Sequence, residues 1–315
     1  MKTYIRMAVP AVLAMFSAID TLAQSGTTGY EYLHIPVSAH SAALGGSNVS
    51  IGEDDASLMF ENPALLSNVS DLSLGFNFTS YIAGSKKLST GFVRQWGNRG
   101  TWAVGAQLLS YGKMTETDAT GAELGSFSAS DIDVQGSYAY MLSDYWSGGV
   151  TAKLLFSNYA NYNSFAMGVD LGVNYYNEEM GTSVSLVGRN LGGQIKALYE
   201  THEKLPFTLG LGWSQTLANA PVRFNLTMDD MTRWKGINFI QHFIVGVDFF
   251  PSSQTWVALG YNIRRAHEMK EQNRSHWAGL SFGAGLSIKK FKVGIAYGKY
   301  HIAASSLLGN ISYTF

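Results

Sequence analysis

The closing stretch Ala278-Gly-Leu-Ser-Phe-Gly-Ala-Gly-Leu-Ser-Ile288 alternates without a break. Ala278, Leu280, Phe282, Ala284, Leu286 and Ile288 are apolar, while Gly279, Ser281, Gly283, Gly285 and Ser287 are small. A period of two places successive side chains on opposite faces of a β-strand. After Lys289-Lys290, Phe291, Val293, Ile295 and Tyr297 alternate with Lys292, Gly294, Ala296 and Gly298. Leu307, Ile311, Tyr313 and Phe315 continue the bulky face, and Leu308 is the one apolar residue among Asn310, Ser312 and Thr314. A soluble barrel fills its interior with bulk. Here the bulk shares one face and the other carries mostly Gly, Ser and Asn. That assortment suits a barrel with lipid outside and a polar or plugged lumen.

Working backward, strand-like segments recur from about residue 70: 71–81, 87–96, 101–111, 130–142, 145–157, 163–176, 181–188, 206–216, 221–228, 239–250, 254–264, 277–288, 291–299 and 305–315. The fold class this predicts is all-β transmembrane, an antiparallel outer-membrane β-barrel of about 14 strands with a small N-terminal helical hatch. The division is 1–23 signal peptide, 24–70 hatch and 71–315 barrel. Short connections (97–100, 143–144, 177–180, 217–220, 251–253, 289–290) alternate for most of the chain with longer, more polar ones (112–129, 189–205, 229–237, 265–276). Barrels of this class keep short turns in the periplasm. An even strand count then puts both termini there. Tyr81, Trp96, Trp102, Tyr111, Tyr138, Tyr140, Tyr145, Trp146, Trp213, Trp256 and Trp277 fall near strand ends, where aromatic girdles are expected.

The N-terminus has the make-up of a secretory signal. Lys2 and Arg6 precede the apolar run 7–18, and Thr21-Leu22-Ala23 offers a cleavage site before Gln24. The run is too short to cross a core of about 30 Å as a helix. In the hatch, 38–46 reads as a short helix closed by glycines, and 56–61 follows acidic residues suited to a helix start. Pro63 disfavours helix at Asn62. The expected position of this segment is the periplasmic mouth.

Lys and Arg number 22 against 23 Asp and Glu, and there is no Cys. Near-zero charge disfavours nucleic acid as a partner, and disulfide and Cys–metal chemistry are excluded. Gly279-Leu-Ser281-Phe-Gly283 matches a nucleophile elbow, but that motif needs a strand-to-helix turn and this one lies mid-strand. Ser287-Ile-Lys-Lys290 matches an acyl-enzyme motif but ends a hairpin and lacks its companion motifs. His34, His40, His202, His242, His267, His276 and His301 form no close ligand pair and read as solvated loop or strand-end residues. Asp229-Asp230, Glu178-Glu179 and the basic loop with Arg264, Arg265, Lys270 and Arg274, offset by Glu268 and Glu271, read as solvated loops. No catalytic, cofactor or metal residue is assigned, and the expectation is a non-enzyme.

The hatch triplet Asn62, Pro63, Ala64 with the barrel pattern resembles the FadL-like outer-membrane family. The stretch 32–46 with Asn62-Pro-Ala-Leu65, and Leu205-Pro-Phe-Thr-Leu-Gly210, is similar to the PorV/PorQ-like branch of the type IX secretion system of Bacteroidota. The terminal Tyr313 and Phe315 resemble the assembly signal of bacterial outer-membrane barrels. The resemblance implies a surface anchor in the outer membrane. Such a protein holds a PorZ-like partner, with PorU and PorV, for processing cargo and attaching it to lipopolysaccharide. The partner-binding residues are unknown. Two other roles stay open: a FadL-like transporter of hydrophobic solutes, requiring an apolar lumen pocket and a gap in the wall, and a PorV-like cargo shuttle.

Overall fold

The computed structural model describes residues 29–234, 237–269, 278–301 and 304–315. The proposed signal peptide, Trp277 and the loop residues Lys270, Glu271, Arg274 and His276 lie outside them. Among the described residues, β1 (Ser73–Ser80), β2 (Lys86–Trp96), β3 (Gly100–Thr117), β4 (Glu123–Met141), β5 (Trp146–Tyr159), β6 (Tyr162–Asn177), β7 (Thr182–Lys196), β8 (Thr208–Thr216), β9 (Val222–Met228), β10 (Phe243–Ser252), β11 (Thr255–Asn262), β12 (Leu280–Ile288), β13 (Phe291–His301) and β14 (Ala304–Thr314) form one closed barrel. Each strand pairs antiparallel with its sequence neighbours, and β1 closes on β14 from Ser73↔Thr314 to Ser80↔Leu307. Closure removes the free sheet edges, the condition for strands to sit in hydrocarbon. This is a 14-stranded outer-membrane β-barrel.

The outer face is built as the alternation requires. Phe76, Phe282, Val293, Ile295 and Ile311 stand outward and exposed, whereas Asn77, Ser281 and Ser312 face in and are buried. Phe315 donates its backbone N–H to Leu72 O at 3.1 Å, and its ring meets Tyr313 edge-on at 4.9 Å. Both C-terminal aromatics thus belong to the outer surface at the short-turn end.

Several connections differ from the sequence reading. The expected loop 112–129 is mostly strand: β3 runs 18 residues and β4 19, paired out to Thr117↔Glu123. Its polar composition hides the pattern because neither face of a ribbon outside the membrane needs to be apolar. β7 likewise continues to Lys196, beyond the expected 188. Residues 239–242 are a 3-10 turn rather than the start of β10, and the 265–276 loop opens with a helix, α2 (Ile263–Glu268).

Inside the barrel lies the hatch. Its helical pieces are turns at Glu31–His34, Ala56–Phe60 and Pro63–Asn68 and one helix, α1 (Ala39–Ala43). Leu44, Ile51, Leu58, Met59, Leu65, Leu66 and Val69 are sealed from solvent together with inward Val93 and Leu308. Among the described residues, the largest apolar core is therefore the hatch against the wall. Nor is the hatch confined to one mouth. Gly29 packs on Glu203 at the long-loop end, while Ser70 leads into β1 at the short-turn end, beside Phe315. The expected periplasmic N-terminus falls among residues outside the described set.

Candidate functional site: hatch seams and vestibule

Three of the hatch's helical pieces are capped by a short polar side chain. Ser38 caps α1 at Ser41 N, and Asp55 caps 56–60 at Ser57 N. Asn62 caps 63–68: its Oδ1 accepts from Ala64 N at 3.0 Å, with Pro63 at the first helical position. The Asn62 Nδ2 donates to Val49 O at 3.0 Å, so one side chain joins two hatch segments. Pro63 and Ala64 lie against Gly149 of β5, and Asn62 against Gly172 of β6; a Cβ at either glycine would collide with the triplet. Ser147 Oγ donates to Ala64 O at 2.9 Å. Gly260 of β11 similarly lets the end of α1 approach its backbone. The inward glycines are thus room for a second chain segment, a reason the alternation alone does not disclose.

The opposite seam is ionic. His40, expected in solvent, is 3% exposed. Its Nδ1 meets Glu53 Oε2 and its Nε2 meets Asp248 Oδ1, both at 2.7 Å. Arg223 Nε donates to the other Asp248 oxygen at 2.7 Å. The His40 ring stacks on Trp256 at 3.8 Å and 3°. Trp256, expected in an outer girdle, therefore faces the lumen. Tyr81 and Tyr111 also turn inward, Tyr111 donating to Asp131 Oδ2 at 2.6 Å. Burial alone would push the His40 imidazole down, but Glu53 and Asp248 together raise it to about 9. His40 is thus an imidazolium between two carboxylates. Lys292 pairs with Asp54 at the short-turn end, and Lys87 Nζ donates to Ile35 O at 2.6 Å.

Above the hatch, toward the long loops, opens a vestibule of about 460 Å³. Glu61 and Ser47 belong to its floor, and Arg189, Asp229, Arg264, Arg265 and Tyr300 to its walls. The acids expected in solvated loops are paired. Asp229 meets Arg189 at 2.7 Å, Asp230 meets Arg264 at 2.6 Å, and Glu268 meets Arg264 at 2.8 Å. Arg189 also reaches Glu61 at 3.5 Å; burial pushes Glu61 up to about 7, and Arg189 pulls it back only in part. Arg265 lies over the Tyr300 ring at 4.1 Å. His242, also buried, bonds Asp229 O through Nδ1 at 3.0 Å.

A second concavity, about 1090 Å³, lies on the lipid-facing side of the wall across β1 and β14. Small outward residues, Thr90, Ala106, Ala284 and Gly309, hollow it between Phe76, Phe78 and Ile295. Ser281, of the apparent nucleophile elbow, donates to Ala43 O at 2.9 Å and holds α1. Among the described residues no group of three or more His, Asp or Glu is arranged to hold a metal ion.

No protein-family model and no curated protein matches the chain. Solved structures do. The Pseudomonas putida toluene transporter TodX is 14% identical, with 88% of this chain and 97% of that one covered at a TM-score of 0.57. The monoaromatic hydrocarbon channel CymD is 13% identical, with 90% and 98% covered at 0.59. This chain therefore has the fold of these two channels. These likenesses support the barrel but not the finer resemblance to the PorV/PorQ-like branch.

Proposed function

We propose that this chain is a hatch-gated outer-membrane channel for small hydrophobic solutes. The observation that carries the reading is the whole-length likeness to TodX and CymD, proteins described as a transporter and a channel for aromatic hydrocarbons. The vestibule, the separately anchored hatch and the apolar outer groove support it as an entry, a gate and a lipid-side surface where a hydrophobic solute partitions. The hatch fills the lumen in this structure, so passage requires it to shift. Purified protein in liposomes should raise uptake of labelled toluene above protein-free vesicles, and loosening the ionic seam should raise it further. Uptake equal to empty vesicles for both wild type and an Asp248→Ala variant would end the reading.

A second role, anchorage of a PorZ-like surface partner, is favoured by the β3–β4 ribbon. A membrane crossing needs about 9–11 strand residues. The remainder of β3 and β4 rises about 25 Å beyond it at roughly 3.3 Å per residue. Deleting 112–127 should release such a partner from cells without disturbing the barrel.

A further inference from the structure

The vestibule contains formal charges of both signs in similar number, so it is not a general anion sink. The imbalance is local. Of its carboxylates, Asp229, Asp230, Glu61 and Glu268 each have an arginine within 4 Å, and Glu31 has His34 at 3.7 Å. Arg265 has no carboxylate partner among the described residues, and its Nη1 is buried without an acceptor. The guanidinium carbon lies 4.1 Å from the Tyr300 ring centroid, with Nη2 against Gly46, where only glycine leaves room. A cation fixed by packing rather than by an anion keeps its field for something else. The lining holds further unmet polar atoms, Ser47 Oγ, Gln107 Oε1 and His242 Nε2, the last on a ring whose Nδ1 donates to Asp229 O.

We infer that the Arg265 corner of the vestibule binds the carboxylate of a small, water-borne organic acid. The position excludes a bilayer lipid as its source, because the corner opens inside the barrel above the hatch. A guanidinium suits a carboxylate through parallel N–H donors. The volume, about 460 Å³, is at the small end of ligand cavities. The inference goes beyond the channel reading by adding a charged solute, and its binding step stands without transport.

The test uses full-length mature protein in detergent and benzoate as the probe, with benzyl alcohol as its neutral counterpart. Calorimetry should show benzoate binding and no comparable benzyl alcohol binding. Arg265→Gln should weaken benzoate about tenfold or more, the usual scale for a hydrogen bond to a charged group. Unchanged benzoate affinity in that variant, or equal affinity for the alcohol, overturns the inference. If the variant does not give a heat-modifiable barrel on gels, the benzoate–alcohol contrast in wild type decides. Toluene uptake separates the two claims. Uptake without benzoate binding defeats this inference and spares the channel; binding without uptake does the reverse.

Discussion

The hatch is held on two sides by different physics. Toward β5 and β6 it is seated by shape: Asn62-Pro63-Ala64 enters a notch made by Gly149 and Gly172 and is tied to the wall by the neutral Ser147–Ala64 hydrogen bond. Toward β9–β11 it is held by charge, with His40 between Glu53 and Asp248, and Arg223 behind. The packing at these glycines fails when volume changes, while the adjoining Glu61–Arg189 pair is a titrating contact on that side. A buried charge seam is strong while complete and costly once one member is lost or neutralised. On the proposed channel reading, the shape seam serves as the hinge and the charge seam as the latch.

The largest expected effect is Asp248→Ala. It strands His40 and Arg223 as buried cations without their shared carboxylate and should cost about 3–5 kcal/mol. Hydrogen exchange in α1 should accelerate while amides at 64–66 stay protected. Equal acceleration at both seams would erase the distinction between latch and hinge.

Raising the pH should act on the same seam without mutation. The folded pKa of His40, about 9, exceeds the unfolded value of 6.5. Its contribution is therefore complete below about 6.5 and lost as pH rises through about 9. Exchange in α1 should quicken between pH 8 and 10, and a His40→Gln variant should show no such window. On the hinge side, Gly172→Ala places a methyl against Asn62 Oδ1 and should cost about 1–3 kcal/mol by overpacking, with no pH dependence. Thermal unfolding at pH 7 and pH 10 checks both points.

The outward face of the last three strands was legible from sequence, because lipid imposes one simple rule on alternate residues. Phe282, Val293, Ile295 and Ile311 could be placed from the alternation alone. The inward half was not, since a small residue is equally suited to water and to a close-packed second segment. Gly149, Gly172 and Gly260 look like lumen residues until the hatch is seen against them. His40 and Trp256 stand more than 200 positions apart in the chain, so no local spacing announces their stacking. The polar ribbon at 112–129 escaped for a related reason: outside the membrane its strands need no apolar face. Asn62-Pro63-Ala64 was legible as a motif, but the notch that receives it comes from two distant strands.

The smallest effect should come from the face that was easiest to read. Phe282 is 54% exposed on the outer wall and stacks on Tyr297 at 5.1 Å. In the bilayer its other neighbours are acyl chains, which refill the space a smaller side chain leaves. Phe282→Leu keeps the apolar character and forfeits one ring pair, so its cost should stay near the value of an aromatic contact, about 0.5–1.5 kcal/mol. Neither α1 nor the Asn62 turn touches this side of β12, so hatch exchange should be unchanged at both seams and at either pH. A loss above about 3 kcal/mol, the scale of a core cavity, would mean that Phe282 packs against protein rather than lipid. The outward assignment of β12 would then be in error, and with it the reason the inner face is free to hold the hatch.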